Sequence, residues 1–308
     1  MVYDELISNK GTDQFQFLKD GNPVVYFKNY DDFIHRLRVV EPSCKTLEQG
    51  ASSQKKADST WYGTPNWEKS LELADTGWRE MTPKLITAVE KVQDEVFRLL
   101  PHLDVTRDYV GECFDMGEYM SGEPEYWRKW SHVGQEKPTV FITMNAAVSC
   151  SVDTKTIIQR GSAMISLCGA LELLGYPVQI TVIHYVTHSG KYRAHAKVLP
   201  VKMPGEVIDY PRVAYAMAHP SLLRRSFFRI YEWPKFYSAL GVGAGYGYPS
   251  DPPKEILNEL LDSPKHSIYF GSIRYGEENH EFIEKHGEVA WVLREVKKVF
   301  GEGSNVEL

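Results

Sequence analysis

The stretch from Pro138 to Ile183 constrains the fold of this chain more than any other segment. An apolar run, Val140 to Met144, leads into a small polar loop. A long helical pattern follows, and a second apolar run covers Val178 to Ile183. Two short apolar runs around a helix spell a strand, a crossover helix and a parallel strand. Asp153-Thr154 followed by Thr156 makes a capping region for the helix. Ile157, Ile158, Ala163, Ile165, Leu167, Leu171 and Leu174 supply its buried side, Gly175 stops it, and Pro177 opens the next strand. The expected class is α/β, a mixed sheet flanked by helices, with an N-terminal helical arm. Such sheets place their chemistry in the loop after a parallel strand. Here that loop, Asn145 to Ser149, offers almost none of the groups that chemistry needs.

The rest of the chain fills in around this unit. Residues 1–60 read as an irregular arm, with a short strand at Val24 to Phe27, a helix at Tyr30 to Val39, and an exposed mobile loop carrying Lys55 and Lys56. Residues 61–308 read as one α/β domain, with a helical lead-in to residue 105 and a sheet core beyond. Asn66 caps a helix that Gly77 stops, and Thr82 with Pro83 opens the next. Asp108 to Phe114 reads as a strand and Asp115 to Trp130 as a helical or looped insertion. Ala194 to Val201 pairs with the preceding strand through Ser189-Gly190. Helices are expected from Pro211 to Ala218, around Leu222, Leu223, Phe227 and Ile230, over Lys254 to Leu261, and over Glu284 to Phe300. A late strand is expected at His266 to Phe270.

Composition closes off several classes. Thirty-five basic against 41 acidic residues leave a net charge of −6, which argues against coating a duplex by bulk charge. No apolar run approaches a membrane span and no secretory leader is visible, so the expected compartment is a cytoplasm. Cys113, Cys150 and Cys168 fall in or beside apolar segments and read as buried free thiols, and no Cys-x-x-Cys pattern includes Cys44. His184, His188 and His195 lack a carboxylate or thiol at a fixed offset and read as the polar rim of a hairpin. Asp115, Glu118, Glu123 and Glu125 read as a solvated acidic face. No nucleophile elbow, zinc-protease or phosphate-loop motif occurs, so the expectation is no catalytic residue, no metal and no cofactor.

What remains is basic and aromatic interleaving. One run spans Arg224 to Tyr237, another is Tyr126-Trp127-Arg128-Lys129-Trp130, and a third is Lys191-Tyr192-Arg193 with Lys197. Single-stranded nucleic acid needs this mixture, cations for phosphates and flat rings for bases. Arg224, Arg225, Arg229, Arg128 and Lys129 are the candidate phosphate contacts. Trp127, Trp130, Tyr246 and Tyr248 are the candidate stacking rings, and Lys55 and Lys56 the candidate closing segment. On a helix, the competing reading makes Leu223, Phe227 and Ile230 the core stripe and the arginines its solvated side.

Asn145, Ala147 and Ser149 follow the first strand where the von Willebrand factor A family carries Asp-x-Ser-x-Ser, so this loop resembles a degenerate A-domain. The segments Trp61 to Leu71, Phe114 to Glu125, Asn145 to Asp153 and Ala216 to Arg225 together resemble an uncharacterised family of tailed bacteriophages. A further similarity is to podophage single-stranded-DNA-binding proteins that recruit the phage RNA polymerase. These resemblances imply a non-enzymatic, oligomeric, single-stranded-DNA-binding protein of the host cytoplasm, acting in replication or phage transcription. The alternatives are an interaction module built on a degenerate A-domain and a metal-dependent nucleotide-acting enzyme.

Overall fold

A computed structural model describes residues 15–39, 59–99, 105–109, 113–114, 116–122, 124–130, 137–188, 194–233, 246–261, 267–274 and 278–300. Lys55, Lys56, the Ser189-Gly190 turn and the Lys191-Tyr192-Arg193 segment lie outside these. In chain order the elements are β1 (Gln16–Phe17), β2 (Pro23–Tyr26), α1 (Tyr30–Val39), α2 (Ser59–Tyr62), α3 (Trp67–Thr76), α4 (Thr82–Leu99), β3 (Val105–Asp108), β4 (Cys113–Phe114), α5 (Met116–Ser121), β5 (Trp127–Trp130) and β6 (Val140–Asn145). They continue as α6 (Thr154–Leu173), β7 (Val178–Thr187), β8 (Ala194–Lys202), α7 (Tyr210–Ala218), α8 (Phe228–Tyr231), β9 (Tyr248–Pro249), α9 (Lys254–Leu261), β10 (Ser267–Phe270), α10 (Glu278–His286) and α11 (Glu288–Phe300).

The main sheet runs β1-β2-β8-β7-β6-β10, with β9 beside the end of β7. Strands β7, β6 and β10 are parallel, and β8 returns antiparallel to β7. The β6-α6-β7 unit is the one its sequence specifies. Asp153 caps α6 by accepting from the Thr156 N–H at 2.6 Å, and Gly175 adopts φ 82° just past its end.

Alternation along the strands sends side chains to two cores. Ile180 and Val182 join the large core under α6, while Ile183 and Tyr185 join a smaller one under α9 with Ile256 and Leu260. Helix α6 is apolar nearly all round because α4, α7 and α11 pack on it. Its Gly161 permits the closest approach: a Cβ there would stand 2.3 Å from the Met217 carbonyl and 2.4 Å from Ala218 Cα.

Four expectations need correction. Residues 15–39 are not an irregular arm, because β2 pairs with β8 and α1 buries Phe33, Ile34 and Leu37 in the large core. The Asp108–Phe114 strand is two short strands. With β5 they form a second sheet of order β3-β5-β4, so the insertion is part strand. The terminal helix is two helices, broken at Gly287 with φ 84°. Cys168 is buried as expected, but Cys150 is exposed, because it lies in the loop before α6 rather than in a packed element.

Candidate functional site

The first basic-aromatic run lies inside the protein. Residues Leu222–Phe227 form a π-helical turn leading into α8, and Arg224, Arg225 and Arg229 are all under 5% exposed. Arg224 donates to the Trp61 carbonyl at 2.6 Å and the Val152 carbonyl at 2.8 Å, and its guanidinium lies 4.3 Å from the Trp61 ring centre. Arg225 donates to the Thr64 carbonyl at 2.8 Å and sits 4.3 Å from the Tyr62 ring. Arg229 sits over Trp67 at 5.1 Å. These three are therefore not phosphate contacts. They clamp the α2–α3 segment, a string of backbone carbonyls and rings, onto the core. Burial pushes the Arg224 pKa down to about 10, which leaves it charged at neutral pH.

Tyr246 is a packing residue too. It stacks on Phe228 at 3.8 Å and 11°, and its hydroxyl donates to the buried Glu232 at 2.5 Å. Tyr248 is 73% exposed on β9. A helix stripe of Leu223, Phe227 and Ile230 predicts a solvated arginine side. The missing signal was the facing segment: Trp61, Tyr62 and Trp67 are distant in sequence and provide the partners.

The histidines are not a rim. The β7–β8 register sets His184 opposite Lys197 and Val186 opposite His195, all on the large-core face. Lys197 is fully buried, with Nζ 3.2 Å from His184 Nδ1 and 3.0 Å from His195 Nε2. His195 Nδ1 lies 2.8 Å from His188 Nε2, and the two rings stack. Desolvation first, then the neighbouring cations, holds His184 and His195 far below the usual imidazole range and His188 at about 4. Desolvation alone pushes Lys197 well down. His184, His195 and Lys197 are buried, His188 is half-buried, and Tyr231 packs against the His188 and His195 rings.

The loop after β6 is equally inward. Asn145 is fully buried. Its amide donates to the Ser250 carbonyl at 2.8 Å and Asp251 at 3.0 Å, and its side-chain oxygen accepts from the Ala147 and Tyr185 N–H groups at 3.1 and 3.3 Å. Asp251 also accepts from the Tyr269 hydroxyl and the Ser272 N–H, both at 2.7 Å. Arg160 donates to the carbonyls of Asn145 and Phe270. The amide of Asn145 is thus needed as a donor, which a carboxylate is not. Among the described residues no three His, Cys, Asp or Glu side chains are grouped to hold a metal ion.

The second run lies in the small sheet. Arg107 is the register partner of Arg128, Thr106 of Lys129, Asp108 of Trp127 and Val105 of Trp130. Trp127 is half-buried beside Tyr126, which meets Tyr119 edge-on at 5.2 Å. Around it Tyr109, Met116, Tyr119 and Met120 are exposed at 52–77%. Arg107 reaches the Arg128 segment through strand pairing, and Tyr119 meets its flank through the Tyr126 ring, links that local spacing in the sequence does not mark.

Fold and site together define a mixed α/β protein whose apolar core holds several buried polar and charged groups, with a second, three-stranded sheet. A sequence profile described as a domain of unknown function, DUF7192, matches residues 18–301, and the chain belongs to that family. No curated protein and no solved structure matches it. Among the described residues no helix is long and apolar enough to cross a membrane.

Proposed function

We propose that this chain is a non-enzymatic protein that binds single-stranded DNA through the three-stranded sheet. One observation carries the reading: the Arg107–Arg128 register pair, with Lys129, Trp127 and Trp130 on the same short strand and the exposed rings of Tyr109 and Tyr119 nearby. Cations to follow phosphates and rings to accept any base are what an unpaired strand requires. A von Willebrand A-like assignment of the main sheet, a place in the host cytoplasm, an oligomeric state and a phage polymerase as partner belong to the same reading. They rest on the resemblances of the β6 loop and flanking segments.

The test is an anisotropy titration of a labelled oligothymidylate against the protein and its Arg107→Glu and Arg128→Glu variants. Binding at micromolar protein and low salt is expected, with the salt slope reduced by about 0.7 for each lost phosphate contact. No binding, or unchanged binding by both variants, overturns the proposal. A second reading, a protein-interaction module, is favoured by Met116 and Met120, exposed at 63% and 77% on one short helix. Met116→Ser/Met120→Ser abolishing capture of a protein partner, while DNA is ignored, would select it.

A further inference from the structure

A cleft of about 500 Å3 opens beside α3, lined by His219 and by no residue of the three-stranded sheet. Thr64, Lys69, Trp78, Arg79 and Glu80 are among its lining residues. The volume falls within the range of sites that enclose a small organic ligand.

His219 is held so as to present one hydrogen. It is 6% exposed, stacked on Tyr215 at 5.4 Å and met edge-on by Trp78 at 4.7 Å. Its Nδ1 accepts the Ser221 N–H at 3.1 Å, which obliges a neutral ring to carry its proton on Nε2. Burial keeps the ring neutral, with a pKa held at about 4. The Ser221 hydroxyl is itself fixed, donating to the Tyr62 carbonyl at 2.7 Å and meeting the Thr64 hydroxyl at 2.9 Å. No protein acceptor meets Nε2 among the described residues. Gly63, at φ 73°, packs its backbone against the ring: a Cβ there would stand 2.9 Å from His219 Cε1.

The walls supply complementary groups. Trp78 is half-buried and offers ring surface. Lys69 and Arg79 are exposed cations at the cleft. Lys69 pairs with Glu72 at 2.8 Å, while Arg79 has no ion-pair partner among the described residues. The Glu80 carboxylate can accept from an amino group.

We propose that this cleft binds a nucleotide unit, a phosphorylated base held by His219 Nε2–H, stacked on Trp78 and anchored through its phosphate by Arg79 and Lys69. A flat ring, a neutral donor, a carboxylate acceptor and paired cations recognise a base and its phosphate together. The site stands independently of the strand-binding sheet. Its occupant is either a free nucleotide or one nucleotide of a strand.

Calorimetric titration with deoxyadenosine monophosphate tests it, with deoxyadenosine and inorganic phosphate as controls. The monophosphate is expected to bind with a dissociation constant of roughly 10–1,000 μM, and each control at least about tenfold more weakly. Arg79→Glu reverses the charge of an exposed side chain without touching the core, so the fold is retained, and it should weaken the monophosphate about tenfold or more. His219→Phe should abolish binding. Independently of that variant's folding, the His219 Nε2–H resonance of the unaltered protein should shift on titration. Absence of heat up to about 5 mM nucleotide, or unchanged affinity in Arg79→Glu, overturns the proposal. A 5′-phosphorylated oligodeoxyadenylate separates the two occupants: competition with the mononucleotide that persists in Arg128→Glu identifies a strand end, and its absence a free nucleotide. Loss of oligonucleotide binding in Arg128→Glu with intact mononucleotide binding would show the sheet and cleft to be separate sites.

Discussion

Replacing Arg224 by Met keeps most of the side chain's volume and removes its guanidinium. The Trp61 and Val152 carbonyls, reached at 2.6 and 2.8 Å, then lose a donor. An orphaned buried acceptor costs about 1–3 kcal/mol, and the lost contact with the Trp61 ring adds about 1–2. Relief from holding a charge out of water offsets part of this. The net expectation is a loss of about 3 kcal/mol. In urea, with a slope near 3 kcal/mol/M for a chain of this size, the unfolding midpoint should fall by about 1 M. Circular dichroism at 222 nm reads the transition, and an unchanged slope assigns the shift to stability. An arginine kept on the surface for phosphate contacts would change stability by less than about 0.5 kcal/mol. A midpoint shift below about 0.2 M would therefore refute the clamp.

Gly161→Ala puts a methyl group against backbone on a facing helix, 2.3 Å from the Met217 carbonyl, so thermal unfolding should reveal a loss of about 2–4 kcal/mol despite the gain in helix propensity. Asn145→Asp removes two donated hydrogen bonds and sets a carboxylate beside Asp251. Chemical denaturation should show a loss of about 3–5 kcal/mol rather than a gained cation site, and added magnesium should not restore it. The His184–His188–His195 stack, buried at His184 and His195, sets a pH dependence. These imidazoles have folded pKa values below 6.5, with His188 at about 4, so the unfolded chain binds more protons in that window. Stability should be retained above pH 6.5 and lost as pH falls toward 4. His188→Gln should flatten part of that slope in pH-dependent melts.

Contacts between near neighbours in the chain are legible in the sequence, and contacts between distant segments are not. The β6-α6-β7 unit, the Asn66 and Asp153 caps and the Gly77 and Gly175 stops were legible because each is written in residues a few positions apart. The buried arginines were not. Their partners are the carbonyls of Trp61, Thr64 and Val152, about 70 to 160 positions away. The same holds for Asn145: without Asp251 and Ser250, more than 100 residues downstream, its amide reads as a missing metal ligand. Alternation in Ala194-His195-Ala196-Lys197-Val198 assigns His195 and Lys197 to the polar side of their strand. The β7–β8 register instead sets that side, with His184, against the large core. For the small sheet, Trp127 to Trp130 had no alternation of apolar and polar residues to mark a strand, and cross-strand pairing with Val105 to Asp108 defines it.

Arg224 is held in the interior, whereas Arg128 is the proposed DNA contact. Measuring urea midpoint and oligothymidylate affinity side by side for Arg224→Met and Arg128→Glu separates the two roles. Arg224→Met should lower the midpoint by about 1 M while its folded fraction binds as before, and Arg128→Glu should leave the midpoint within about 0.2 M but weaken binding about tenfold or more. Weakened binding with an unchanged midpoint in Arg224→Met would contradict this division of roles.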